Sequence, residues 1–168
     1  MGVRLLLISD THLPVRAKDL PLAVWDEVEQ ADVVVHAGDW VDVATLDRVE
    51  KRARQVVGVA GNNDGPDLHA RLPLVARCEL GGLRFAVVHQ TGDSPSRERR
   101  MTVDYPDTDV LVFGHSPIPW DTVTASGLRL LNPGSPTDRR RQPFCTYMTV
   151  QIQERRLDVQ LHRLPPRR

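Results

Sequence analysis

Residues 3–12 read VRLLLISDTH, an apolar run of strand length that stops on Asp10-Thr11-His12. The run is short, rich in branched aliphatic residues and does not alternate with polar ones, the pattern of a strand buried on both faces. Four more runs end in the same way. Residues 33–36 (VVVH) lead into Gly38-Asp39, and residues 55–60 (QVVGVA) into Gly61-Asn62-Asn63-Asp64. Residues 83–88 (LRFAVV) lead into His89, and residues 110–113 (VLVF) into Gly114-His115. Loops leaving one edge of a sheet converge in space, so these five ends can meet. Carboxylate, carbonyl and imidazole groups together suit hard-to-borderline divalent cations. Nothing structural requires Asp, Asn or His at the end of five separate strands, and the series therefore points to a metal site.

Between the strands lie helical patterns, which argues an α/β architecture. Residues 20–30 (LPLAVWDEVEQ) place Leu22, Trp25 and Val28 at helical spacing behind Pro21. Residues 43–54 (VATLDRVEKRAR) put Val43, Leu46, Val49 and Ala53 on one face, with Asp42 as N-cap. A short helix is expected at 67–72 and another within 95–103. Gly81-Gly82 reads as the turn of a hairpin between 75–80 and 83–88. After His115 the helical spacing stops and four strand-like runs follow, at 121–124, 128–131, 144–153 and 157–164. These predict a second, more antiparallel sheet packed on the first. The expected organisation is one domain over 1–164 with a frayed tail at 165–168.

The bulk properties remove several function classes. A chain of 168 residues is the size of one domain and buries roughly 70% of its unfolded surface. Lys+Arg and Asp+Glu both number 22, so bulk electrostatic binding to nucleic acid or anionic lipid is not expected. No apolar run reaches the roughly 20 residues of a membrane span, and the N-terminal run is too short for a secretory leader. The expected compartment is the cytoplasm. Cys78 and Cys145 lie beside apolar stretches without CxxC spacing, which reads as thiols in packing roles. The apolar strands near the C-terminus offer a surface for a second copy of the chain.

The ordered series D-x-H, GD, GNxD, strand-terminal His and GHxx resembles the calcineurin-like metallophosphoesterase superfamily. Within it the chain is similar to the small YfcE-type phosphodiesterases, whose fold the retromer subunit Vps29 shares. Asn132-Pro133-Gly134-Ser135 is similar to the NPGS segment of that subgroup. The resemblance implies a four-layer αββα sandwich of two mixed sheets flanked by helices. It also implies two divalent metal ions (Mn, Fe, Zn or Ni, with Mg as a further choice). Asp10 and His12 would hold the first, Asp39 would bridge, and Asn62, His89 and His115 would complete the second. Asp39, Asn62 and Asn63 would stand at the reacting centre. The implied reaction is hydrolysis of a small phosphodiester by a hydroxide that two cations about 3.5–4 Å apart generate from water.

Two positions depart from that pattern. The family motif GHxH reads Gly114-His115-Ser116-Pro117 here, and Pro117 offers no side-chain ligand. The Asp10/His12 site is therefore expected to be the weaker of the two. Asn63 occupies a slot that often holds a His able to protonate a leaving group. Asn cannot do so, which predicts a preference for activated aryl diesters over alkyl monoesters. The alternative to an enzyme is a binding or scaffold protein on the same fold with an incomplete metal centre. An aspartyl-nucleophile mechanism would want a second Asp where His12 stands.

Other polar residues are read more plainly. His69 and His162 are expected to be structural, and His36 either structural or a hydrogen-bond partner behind the site. Arg139-Arg140-Arg141 and the Arg97, Arg99, Arg100 cluster are expected to be solvated surface, with contact to a second substrate phosphate as the alternative for the first run. Trp40 is open between ordinary packing and stacking on an aryl group. Asp64 is expected to position Asn63 or a nearby turn.

Overall fold

A computed structural model describes residues 2–166. The elements in chain order are β1 (Val3–Ile8), α1 (Leu22–Gln30), β2 (Val33–His36), α2 (Val43–Arg52), β3 (Val56–Gly58), α3 (Pro66–Arg71) and β4 (Val75–Leu80). They continue with β5 (Leu83–Val88), α4 (Arg97–Asp104), β6 (Val110–Val112), β7 (Trp120–Val123), β8 (Arg129–Asn132), β9 (Thr146–Gln153) and β10 (Arg156–Arg163). Pro165 and Pro166 follow without regular structure. Arg167 and Arg168, the rest of the expected tail, lie outside the described residues, as does Met1.

Two five-stranded mixed sheets are stacked, one ordered β10-β9-β1-β2-β3 and the other β4-β5-β6-β8-β7. The pairs β1–β2 and β2–β3 are parallel, with Leu5 opposite Val33 and Val35 opposite Val57. In the second sheet β5, β6 and β8 are parallel, while β4 and β7 are antiparallel edges. Strand periodicity sorts the side chains into three apolar layers. Leu5, Leu7, Val33 and Val35 point between the sheets and meet Phe85, Val87, Val110, Val112, Met148 and Val150. Their neighbours Leu6, Ile8 and Val34 point outward onto Val24, Trp25 and Val28 of α1 and Leu46 and Val49 of α2. On the far side Ala86, Leu111 and Leu130 pack on Met101 of α4. Three apolar interfaces make four layers, helix–sheet–sheet–helix, as expected. Asp42 caps α2 by accepting from the Ala44 N–H at 2.7 Å.

The strands after His115 do not form a sheet of their own, which corrects the sequence expectation. β7 and β8 complete the sheet of β4–β6, whereas β9 and β10 extend the other sheet beside β1. The reason is burial. In β8, Leu130 joins the outer apolar layer and Leu131 the layer between the sheets, so this strand needs an interior parallel place beside β6. β9 carries Met148, Val150 and Ile152 toward the inter-sheet core and pairs with β1 over Val3–Leu7.

Candidate metal centre

The carboxyl ends of β1, β2, β3, β5 and β6 open onto one edge of the sandwich, and the turns there are forced into unusual backbone. Asp10, His12, Asp39, Val41 and His115 all have positive φ, between 46° and 75°. Such geometry is uncommon outside glycine and is held only where other contacts demand it. Asp64 supplies the demand at β2: its carboxylate accepts from the backbone N–H groups of Asp39 (3.0 Å), Val41 (2.6 Å) and Gly61 (2.7 Å). At β1 the Ser135 hydroxyl donates to the Asp10 carbonyl at 2.8 Å and the Thr137 hydroxyl to the Thr11 carbonyl at 2.6 Å.

The structure brings all six expected ligand side chains together. Asp39 is fully buried; its Oδ2 lies 3.0 Å from His12 Nε2 and its Oδ1 3.4 Å from His89 Nε2. His89 Nε2 is also 2.8 Å from Asn62 Oδ1, which lies 3.0 Å from His115 Nδ1. Asp10 Oδ1 is 4.0 Å from His12 Nε2. Ligand atoms of Asp10, Asp39 and His89 lie within 4.8 Å of one another. Asn63 grips Asp39 twice, donating its backbone N–H to Oδ1 (2.9 Å) and its Nδ2 to Oδ2 (2.8 Å).

This donor set fits a cation better than it fits itself. His89 Nδ1 faces the Ala37 carbonyl at 2.7 Å, so that nitrogen carries a proton, while Nε2 faces Asn62 Oδ1 and Asp39 Oδ1. His12 Nδ1 faces Asp138 Oδ2 at 3.1 Å, while its Nε2 faces Asp39. Each imidazole thus presents both nitrogens to acceptors, and Asp10 Oδ1 is buried with no donor at all. A bound divalent ion would take those Nε2 and carboxylate lone pairs, leaving Nδ1–H bonded to Ala37 and Asp138.

Acidities follow the same crowding. Burial raises the Asp10 carboxyl to about 6, against the lowering effect of His89. Burial acts in the same sense on Asp39, but hydrogen bonds with His12 and His89 override it and hold that carboxyl far below the usual range. Burial lowers His12 and His89, yet the hydrogen bond of each to Asp39 prevails and both end raised. His115 is lowered by burial and then by His89.

Around this set, several sequence readings are resolved. Trp40 does not face the site: it is fully buried, stacks on His36 at 3.6 Å and donates Nε1–H to the Val59 carbonyl. His36 bonds Thr11 Oγ1 at 3.0 Å and accepts from the Gly38 N–H, which makes it a partner of both the Asp10–His12 and the Gly38-Asp39 turns. His162 bonds Thr149 and stacks on Tyr147. Arg97 is not solvated; it is buried over Phe113 and Trp120 and donates to Thr91 Oγ1, because α4 packs that side down on the sheet. Asp138 is the residue the sequence reading missed. It lies in a loop that ends no apolar run, and its only signal is its place three residues after Ser135, whose hydroxyl accepts its N–H at 2.8 Å.

Residues 3–155 match the family model of the calcineurin-like phosphoesterase superfamily domain. A probable metallophosphoesterase of Methanocaldococcus jannaschii is 35% identical over 152 residues, covering 89% of this chain and 76% of the relative. Among solved structures, a Thermotoga maritima protein is 33% identical with TM-score 0.76, covering 96% of this chain and 99% of that one. Entamoeba histolytica Vps29, solved in complex with zinc, superimposes with TM-score 0.77 at 22% identity over 96% of this chain and 98% of its own, a likeness of fold. The motif-bearing strand ends, the four-layer fold and these matches agree: the chain belongs to the calcineurin-like phosphoesterase superfamily.

Proposed function

We propose that this chain is a metal-dependent phosphodiesterase whose ligands are Asp10, His12, Asp39, Asn62, His89 and His115. The observation that carries the reading is the surplus of buried acceptors: Asp10 Oδ1 without a donor, and two imidazoles each facing acceptors on both sides. Divalent ions held there would lower the pKa of a coordinated water toward neutrality and offset the charge of phosphate oxygens. The chain's own residues do the rest. Asp39 lies between the His12 and His89 sides and is fixed by the two hydrogen bonds from Asn63. Asp138 sets the ring of His12, and the Ala37 carbonyl sets that of His89. Asn63 offers no transferable proton, so the substrates served best are diesters with a leaving group that is stable as an anion. Pro117 leaves the Asp10/His12 side with fewer ligands, and that ion is held more weakly.

The test is hydrolysis of bis(p-nitrophenyl) phosphate with Mn²⁺, compared with an Asp39→Asn variant. Turnover in the parent that disappears in the variant is the expected result; absence of turnover in both sinks the reading. Pro117 also favours a second reading, a binding protein with a residual metal centre, and that same absence would support it.

A further inference from the structure

Next to the metal centre, and sharing its His12–Asn63 wall, is a hollow of about 260 Å³ into which Arg16, Asp138 and Arg140 also project. Its charge is unbalanced. The Asp138 carboxylate is already hydrogen-bonded to His12, and Arg16 Nε stands 3.6 Å from it. Arg140 has no carboxylate within ion-pair distance among the described residues, and it is presented by a tight turn closed by the Gln142 N–H on the Arg139 carbonyl. Two guanidinium groups thus line a hollow whose one carboxylate is already engaged. The hollow is smaller than the roughly 300 Å³ at which pockets begin to hold whole drug-sized ligands. It suits one small anion, and guanidinium forks match phosphate oxygens.

The walls also lack an acid. Both nitrogens of His12 are committed, one of them to the Asp138 carboxylate as its acceptor, Asn63 Nδ2 is spent on Asp39, and guanidinium does not give up a proton near neutrality. A group departing into this hollow must therefore leave as a stable anion. A phosphate does so without help, whereas an alkoxide does not.

We propose that the hollow receives the second phosphate of a phosphoanhydride, and that Arg16 and Arg140 stabilise it as the leaving group of P–O–P cleavage. The proposal rests on the metallohydrolase reading above and names its substrate class. Hydrolysis adds the oxygen of water to one phosphorus. The bond from that phosphorus to the bridging oxygen breaks, and the electron pair leaves on the second phosphate. The two protons of water pass to the products and solvent.

The experiment compares ADP with bis(p-nitrophenyl) phosphate, using the Mn²⁺-loaded protein and its Arg140→Ala, Arg16→Ala and Arg140→Lys variants. The expected result is ADP cleavage to AMP and phosphate. In each Ala variant kcat/KM for ADP should fall by at least about tenfold more than for the diester, with part of the loss restored by Lys. Calorimetric affinity of the loaded protein for methylenediphosphonate should fall by a similar factor in Arg140→Ala. Diester hydrolysis without ADP hydrolysis, or equal losses on both substrates, overturns the phosphoanhydride proposal alone. No hydrolysis of either substrate overturns it together with the reading beneath it.

Discussion

Removing the Asp64 carboxylate should loosen the centre without touching a ligand. In Asp64→Ala three backbone donors lose their acceptor, at 3.0, 2.7 and 2.6 Å in the parent. Val41 is half-buried, so water can reach its N–H, but Asp39 and Gly61 are buried. Leaving two buried N–H groups unpaired costs about 1–3 kcal/mol each, and the left-handed Asp39 and Val41 lose their restraint as well. The total is on the order of 3–6 kcal/mol, a large share of the roughly 5–15 kcal/mol that holds a typical domain folded. At about 2–4 °C per kcal/mol for a chain of this size, the melting temperature should drop by roughly 6–24 °C. Asp64→Asn can keep its one oxygen on the Asp39 and Gly61 N–H groups, which share Oδ2 in the parent, and should lose well under half as much. Calorimetry on chelator-treated protein reads the folding term free of metal linkage. Elemental analysis after reloading should then show less manganese retained. A melting temperature within about 3 °C of the parent in Asp64→Ala would refute the clamp.

Four other perturbations separate site from scaffold. In Gly61→Ala a Cβ would lie 2.1 Å from Asp39 Oδ1 and 2.4 Å from the Asp39 nitrogen, so Asp39 must move; elemental analysis should show metal stoichiometry reduced while circular dichroism is retained. Trp40→Phe removes the bond to the Val59 carbonyl and should cost on the order of 1 kcal/mol in urea denaturation, with no change in KM for aryl substrates, since the ring does not face them. Burial raises the Cys78 thiol above its ordinary value of 9.0, so iodoacetamide should modify it more slowly at pH 8 than a free thiol, with the rate still climbing above pH 9. Asp19 is held below its ordinary 3.8: burial opposes ionisation, but the hydrogen bond from Arg48 and those from Trp25 and the Leu20 N–H outweigh it. Its contribution is present above the unfolded value and lost as pH falls through the folded one, so the small melting difference of Asp19→Asn at pH 7 should vanish by about pH 2.

What could be read from the chain followed from local rules. Five strands and the polar residues that end them were legible because a strand buried on both faces leaves a continuous apolar run, and the residue that stops the run is conspicuous. The helices were legible from their 3.6-residue apolar spacing, with ends shifted by at most two residues. Sheet membership after His115 was not, since Leu130 and Leu131 read alike in sequence and differ only in which apolar layer each fills. Trp40 was equally unreadable: its neighbour Asp39 is at the site, but one residue further along a left-handed turn the chain points into the core. Asp138 was hidden, and the two readings of Arg140 could not be separated, because a loop residue's position depends on where its loop is anchored. That anchor, Ser135 and Thr137 on the carbonyls of residues 10 and 11, spans more than 120 residues of sequence.

These anchors explain how the turn can carry a proline where the family motif has a histidine. Left-handed residues at the ends of β1, β2 and β6 aim Asp10, Asp39 and His115 inward, at a cost of about 1–3 kcal/mol for each strained position. Side chains from other loops offset that cost: Asp64 at β2, Ser135 and Thr137 at β1. The His115 turn is held by its own N–H on Asp10 Oδ2 at 2.9 Å and by Asn132 Nδ2 on the Ser116 carbonyl at 3.0 Å. None of those bonds involves the side chain at position 117, so a pyrrolidine in place of an imidazole there does not release the turn. Pro117→His should accordingly fold as the parent does and raise the affinity of the weaker ion, read as slower release of the second equivalent of Mn²⁺ to a chelator. A variant with unchanged release kinetics would mean that position 117 does not face the Asp10/His12 side, and the asymmetry argued for this centre would have no structural cause.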